Sequence, residues 1–179
     1  MKLAEGLRIR ADYSKKLDAI KYQIPNNCKS RENEKPNDDP LALAKQVECL
    51  NEKIIELVTL INLANAKITL TYPSFRDNRK NPDKLVTSTR TMSEALVERE
   101  VLKKELQMYR GMIQCADTSS KKYELISSKN DSIEYKIVPT FDVKKIQNKC
   151  DILSKFLRIL DTKIQEKNWN VDIDFEDEE

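Results

Sequence analysis

The chain has 179 residues, 35% of them charged and 39% apolar, with two glycines and a net charge of +2. Near-neutrality gives the whole molecule no large field to draw it to nucleic acid or anionic lipid, and the composition is that of long amphipathic helices solvated by interleaved Lys and Glu. Histidine is absent, which closes Ser-His-Asp and Cys-His catalysis, His-ligated zinc and the Glu-x-x-His sites of di-iron bundles.

The first helix is expected over about residues 2–24. Leu3, Leu17 and Ile24 fall seven or fourteen apart, Tyr13 and Ile20 fill the alternate core positions, and Arg10 lies on the same line. Pro25 lacks the N–H that would continue the ladder, and the polar stretch Asn26 to Pro40 reads as a surface loop. The charged start has no apolar core of a signal peptide.

The second helix, about 41–68, opens at Asp39-Pro40, an acidic residue ahead of a proline at the first helical position. Leu43, Val47, Leu50, Ile54, Leu57, Ile61, Ala64 and Ile68 line it four and three apart, a stripe that seats in a partner helix. A second row, Ile55, Val58, Asn62 and Asn65, gives this helix two contact faces, and Asn62 with Asn65 offers amides to a strand backbone or a subunit contact. The apolar window Ile54 to Ala66 is interrupted by Glu56 and falls short of the roughly 20 residues that span a bilayer.

Ile68, Leu70 and Tyr72 alternate, so strands are expected at about 67–72 and 85–88 around a basic tip. Arg76, Arg79, Lys80, Lys84 and Arg90 outnumber Asp77 and Asp83 there, and Tyr72 and Phe75 flank them. Such a cluster is what phosphate neutralisation and base stacking require, which makes the tip the candidate contact for nucleic acid or another anion.

Thr91 and Glu94 form a candidate capping box for a third helix, about 92–116. Its seam is Met92, Ala95, Arg99, Leu102, Leu106, Tyr109 and Ile113. Arg99, like Arg10, interrupts an apolar line and therefore calls for a carboxylate, with Glu5, Glu98 and Glu100 as natural partners. A strand is expected at about 132–138. The fourth helix, about 142–167, carries a second seam through Val143, Ile146, Cys150, Leu153, Leu157, Leu160 and Ile164. Trp169 is expected to fold back over the bundle end or a neighbouring subunit, and residues 170–179 form an acidic tail expected to fray.

Cys28, Cys49, Cys115 and Cys150 show no C-x-x-C pairing and read as four reduced thiols of a cytoplasmic protein. The two isolated glycines provide no phosphate-cradling loop. Carboxylate pairs such as Glu94 and Glu98 arise by chance among 30 acids, and no EF-hand spacing is present. No metal or cofactor is expected.

MKLAEGLRIRADYSKKL at the start, DPLALAKQVECLNEKIIELVTLINLAN in the second helix, TMSEALVERE in the third and IEYKIVPTFDVKKIQNKCDILSKFLRILDTKIQEKNW near the end together resemble a small bacterial family of helical proteins, some of which carry the label septicolysin. The resemblance covers most of residues 1–169 and implies a helical fold without an assigned role; the label implies a cytolysin. The segment Pro73 to Arg90 is longer than the turn usual in that family.

The sequence thus leads to one helical domain over 1–169: a mainly α, elongated, antiparallel four-helix bundle or coiled coil with a few short β-strands at one end. The expected role is that of a non-enzymatic, self-associating interaction or structural protein forming a homo-oligomer, with no membrane contact. The alternative is a binding module using the basic 73–90 loop, followed by a carboxylate-site enzyme. The polar seam candidates are Arg10, Arg99, Glu98, Asn62 and Asn65.

Overall fold

The computed structural model describes residues 1–79, 86–116 and 138–175 in full, and 123–128 and 131–136 as backbone. It is mainly helical, with two small two-stranded sheets. By internal contacts the chain divides into two compact units, where the sequence led to one domain. Met1–Thr69, Thr91–Ser93 and Ile164–Glu179 form the first; Leu70–Arg90 and Glu94–Lys163 form the second.

In the first unit, α1 (Leu3–Asn27) packs on α2 (Pro40–Lys67). The contacts run in opposite chain directions: Leu17 and Ile20 meet Leu43 and Leu50, while Leu3 meets Leu57 and Ile61. Pro25 does not stop α1, which ends at Asn27. The proline falls in the last turn, where one lost N–H is tolerable, and side-chain amides supply donors nearby: Asn26 Nδ2 to Tyr22 O at 3.3 Å and Asn27 Nδ2 to Gln23 O at 3.1 Å. Asp39 caps α2 by accepting from Leu41 N at 2.9 Å, with Pro40 just inside.

Over residues 171–175 the expectation of a frayed tail is corrected by the structure, while residues 176–179 lie outside the described residues. Residues 171–173 lie antiparallel to the N-terminus, with Leu3 N donating to Val171 O at 2.8 Å and Ile173 N to Met1 O at 2.9 Å. The Met1 ammonium donates to Ile173 O at 3.0 Å. Ile173 and Phe175 are buried with Leu3, Leu57 and Ile61. The acidic composition hid two apolar residues at alternate positions, enough to seat a short extended segment. Trp169 is 60% exposed within the chain, so it does not fold back over this chain's own apolar surface.

In the second unit, β1 (Thr69–Tyr72, whose first residue belongs to the first unit) pairs with β2 (Ser88–Thr91). Leu70 and Tyr72 are buried, while Thr71 points outward and shares a 3.0 Å hydroxyl contact with Thr89. The second strand lies three residues later than the expected 85–88, because a one-turn helix, α3 (Phe75–Asn78), occupies the start of the connection. The long helices α4 (Met92–Ala116) and α5 (Val143–Asn170), of which residues 92–93 and 164–170 belong to the first unit, are separated in sequence by a hairpin of β3 (Tyr123–Ser128) and β4 (Asp131–Lys136), paired from Tyr123↔Lys136 to Ser128↔Asp131. Only one strand was expected there. Arg99 approaches Asp161, and Lys149 lies over the Tyr109 ring, so α4 and α5 run antiparallel. Met92, Ala95, Leu102 and Leu106 are buried on α4, as are Cys150, Leu153, Phe156 and Leu160 on α5.

Candidate functional site

The chemistry-bearing residues of the second unit gather along α4, and their positions follow from its 3.6-residue turn. Arg99 falls on the buried line Ala95–Leu102–Leu106 and is 24% exposed. Its guanidinium reaches Glu100 at 3.3 Å and Asp161 of α5 at 3.8 Å, while Nε is buried with no hydrogen-bond partner among the described residues. Two acids thus neutralise a cation that the apolar seam could not accommodate alone.

Glu98, one residue earlier, lies about 100° round the helix and does not serve Arg99. Its carboxylate accepts from Tyr72 Oη at 2.8 Å, Ser74 Oγ at 2.9 Å and Phe75 N at 2.9 Å. Ser74 begins α3 without a side-chain cap of its own, so a glutamate from α4 takes the capping role at that helix start. An anion is favoured there by the free N–H groups and their dipoles. Burial, followed by the bond to Glu98, pushes the Tyr72 phenol well above its ordinary range.

Asn78 closes the same segment from its other end. Its Nδ2 donates to Ser74 O and Val86 O, and its Oδ1 accepts from Val86 N, each at 2.7 Å. The paired amide contacts with Val86 imitate a strand bridge and pin the two sides of the loop between residues 78 and 86. Phe75 stacks edge-on against Phe156, with centroids 5.4 Å apart, anchoring α3 on α5.

The basic tip is largely engaged from within. Arg79 donates from Nη2 to both carboxylate oxygens of Glu105, each at 2.9 Å, and lies over the Phe75 ring. Arg90 holds Asp77 at 3.2 and 3.0 Å. Ser88 Oγ is buried without a well-aligned hydrogen-bond partner among the described residues, yet its hydroxyl lies against the Asp77 carboxylate; with the Arg90 guanidinium it holds that carboxyl below its usual range. Arg76 is exposed, and Lys80 and Lys84 lie outside the described residues.

Of the remaining candidates, Arg10 is exposed rather than buried, although it lies a heptad from both Leu3 and Leu17 on the same face of α1. Asn62 is exposed and Asn65 half-buried on α2. The candidates do not converge on one site: Glu98 and Arg99 share α4 but serve different partners.

Three contributors escaped the sequence reading, Ser74, Asn78 and Asp161, and Tyr72 entered it only as a strand residue flanking the basic tip. A buried tyrosine needs a partner for its hydroxyl, and that need was the available signal for Tyr72. A second missed feature is the outer row of α4. Val97, Val101, Lys104, Met108, Gly111 and Cys115 fall four and three apart, and Val97, Val101 and Met108 are 65%, 56% and 52% exposed. Counting the heptad twice round the helix would have found it.

Among the described residues no group of three Cys, Asp or Glu could hold a metal ion, and no helix is long and apolar enough to cross a membrane. The crystal structure of a functionally unknown conserved protein from Corynebacterium diphtheriae is similar to this chain, with a TM-score of 0.75 and 25% identity over 97% of this chain and 98% of that one. No curated protein matches. A family model covers residues 10–173, and the chain belongs to that family, DUF6847, a family of unknown function.

Proposed function

We propose that this protein is a non-enzymatic, self-associating interaction protein, and that one copy binds a second through the outer face of α4. The observation that carries the reading is the exposed row Val97, Val101 and Met108, in coiled-coil spacing with Lys104, Gly111 and Cys115. Solvated helix faces ordinarily carry charge, whereas this one carries three large apolar side chains and a single cation.

Charge selects a second copy as the occupant. Turning over a second α4 so that Val97 lies opposite Met108 sets Val101 opposite Lys104. The Lys104 ammonium then falls beside Glu100 of the second copy, and the two-fold symmetry makes that contact twice. Residues 97–108 cover about 16 Å at the helical rise, a patch smaller than stable interfaces of about 1,200–2,000 Å², so the dimer is weak and concentration-dependent. On α2, Ile55, Thr59, Asn62 and Ala66 form another exposed, uncharged row that extends the same self-associating role.

Disulfide cross-linking tests the register. With Cys28, Cys49 and Cys115 replaced by serine, the double variant Val97→Cys/Met108→Cys forms interchain disulfides under mild oxidation, and either single variant does not. Equal cross-linking by the singles, or none by the double, overturns the pairing. The alternative, a nucleic-acid contact through the 73–90 loop, rests on Arg76, Lys80 and Lys84, because Glu105 and Asp77 already engage Arg79 and Arg90.

A further inference from the structure

Gly111 stands inside a 25-residue helix, five residues before its end, where glycine is less favourable than alanine by about 1 kcal/mol. No turn or positive φ requires it, and a Cβ built there meets nothing within 4 Å. What the missing side chain leaves is space. Gly111 lines a groove of about 450 Å³ along α4 and α5, together with Lys103, Leu106, Gln107, Arg110 and Leu157. That volume lies within the range of small-molecule sites, about 300–1,000 Å³.

The lining has two characters. Leu106 and Leu157 give an apolar floor, and Lys103 and Arg110 give two cations. Lys103 is held by Glu100 at 3.2 Å. Arg110 makes no ion pair among the described residues, in contrast to Arg99 on the same helix and to Arg79 and Arg90. Arg110 also borders a smaller recess of about 190 Å³ lined by Gln147, Cys150, Asp151 and Ser154. Asp151, bonded to Gln147 at 3.2 Å, lies on that side only and repels an anion from it.

We propose that this α4–α5 groove binds a small aliphatic carboxylate, its anionic head on Arg110 and Lys103 and its chain on Leu106 and Leu157 in the space left by Gly111. A guanidinium without a carboxylate supplies a charge-assisted, bidentate contact, and the apolar floor supplies burial for the chain. A ligand without a negative head leaves Arg110 unused, and a short polar anion leaves the floor uncovered.

Calorimetric titration of the full chain with sodium decanoate, below its micelle concentration, tests this. Saturable one-site binding is expected, weakened about tenfold or more by Arg110→Gln and by Gly111→Leu, which fills the open space. Decanol and acetate are each expected to bind at least about tenfold more weakly than decanoate. Circular dichroism and melting of both variants confirm folding; if Gly111→Leu fails to fold, Gly111→Ala with Leu157→Gln replaces it. Val101→Glu, on the outer row but not among the residues lining the groove, leaves decanoate binding unchanged. Absence of saturable binding, or equal binding by wild type and Arg110→Gln, overturns the proposal. Loss of binding with Val101→Glu assigns decanoate to the exposed apolar row and overturns it too.

Discussion

The first unit and the 72–90 connection within the second are each held by different chemistry. In the first, Leu3, Leu57, Ile61, Ile173 and Phe175 meet in an apolar cluster, and the extended 171–175 segment adds main-chain bonds at its edge. In the second, the segment from Tyr72 to Arg90 is tied by Glu98, Asn78 and the Arg90–Asp77 pair. Apolar contacts are individually small and interchangeable, so losing one leaves a cavity whose cost depends on relaxation. A buried polar network behaves otherwise: removing one member leaves its partners without water or bonds. The short connection gains a single conformation from this, at the risk of a sharp failure.

The largest test of that contrast is Glu98→Leu. It strands the Tyr72 and Ser74 hydroxyls, both almost fully buried, and the Phe75 N–H, and is expected to destabilise by about 4 kcal/mol. Glu98→Gln keeps an acceptor and is expected to recover more than half of that in urea unfolding. Leu57→Ala, in the apolar cluster, is expected to cost about 3 kcal/mol, and unlike Glu98→Leu it should be substantially rescued by methionine at the same position. Equal rescue at both sites would erase the distinction.

A smaller effect separates the two glycines. At Gly6 a Cβ meets Ile173 Cδ1 at 2.5 Å and Leu57 Cδ1 at 3.4 Å, whereas at Gly111 it meets open space. Gly111→Ala is expected to raise stability by about 0.5–1 kcal/mol through helix propensity, while Gly6→Ala loses that gain to overpacking. The two variants should differ by about 1–2 kcal/mol in matched melts. The smallest effect is a pH dependence. Held below its ordinary value of 3.8, Asp77 contributes stability that is whole above that value and fades as pH falls through the depressed folded one. Asp77→Asn should flatten the acid limb below about pH 4 and leave the neutral plateau shape unchanged.

What the sequence made legible follows the same division. The Asp39-Pro40 start of α2 and its seam of Leu43, Leu50, Leu57 and Ile61 depend on local spacing and capping, and these positions are the buried ones. Tyr72, Ser74 and Asn78 depend on partners up to 26 residues away, and no local period announces a hydrogen bond. Arg99 shows both halves: its need for a carboxylate was readable and Glu100 was among the natural partners, but Asp161 arrives only through the antiparallel packing of α5. Ile173 and Phe175 were masked by the acids around them.

The central functional claim is that copies meet through the outer face of α4. Sedimentation velocity of the wild type beside Val97→Glu/Val101→Glu, over a hundredfold range of concentration, tests it most directly. A wild-type mass that rises toward twice that of the chain, with a variant that stays monomeric and melts as the wild type does, is the predicted result. A wild type that stays monomeric throughout, or a variant that associates equally, would contradict it.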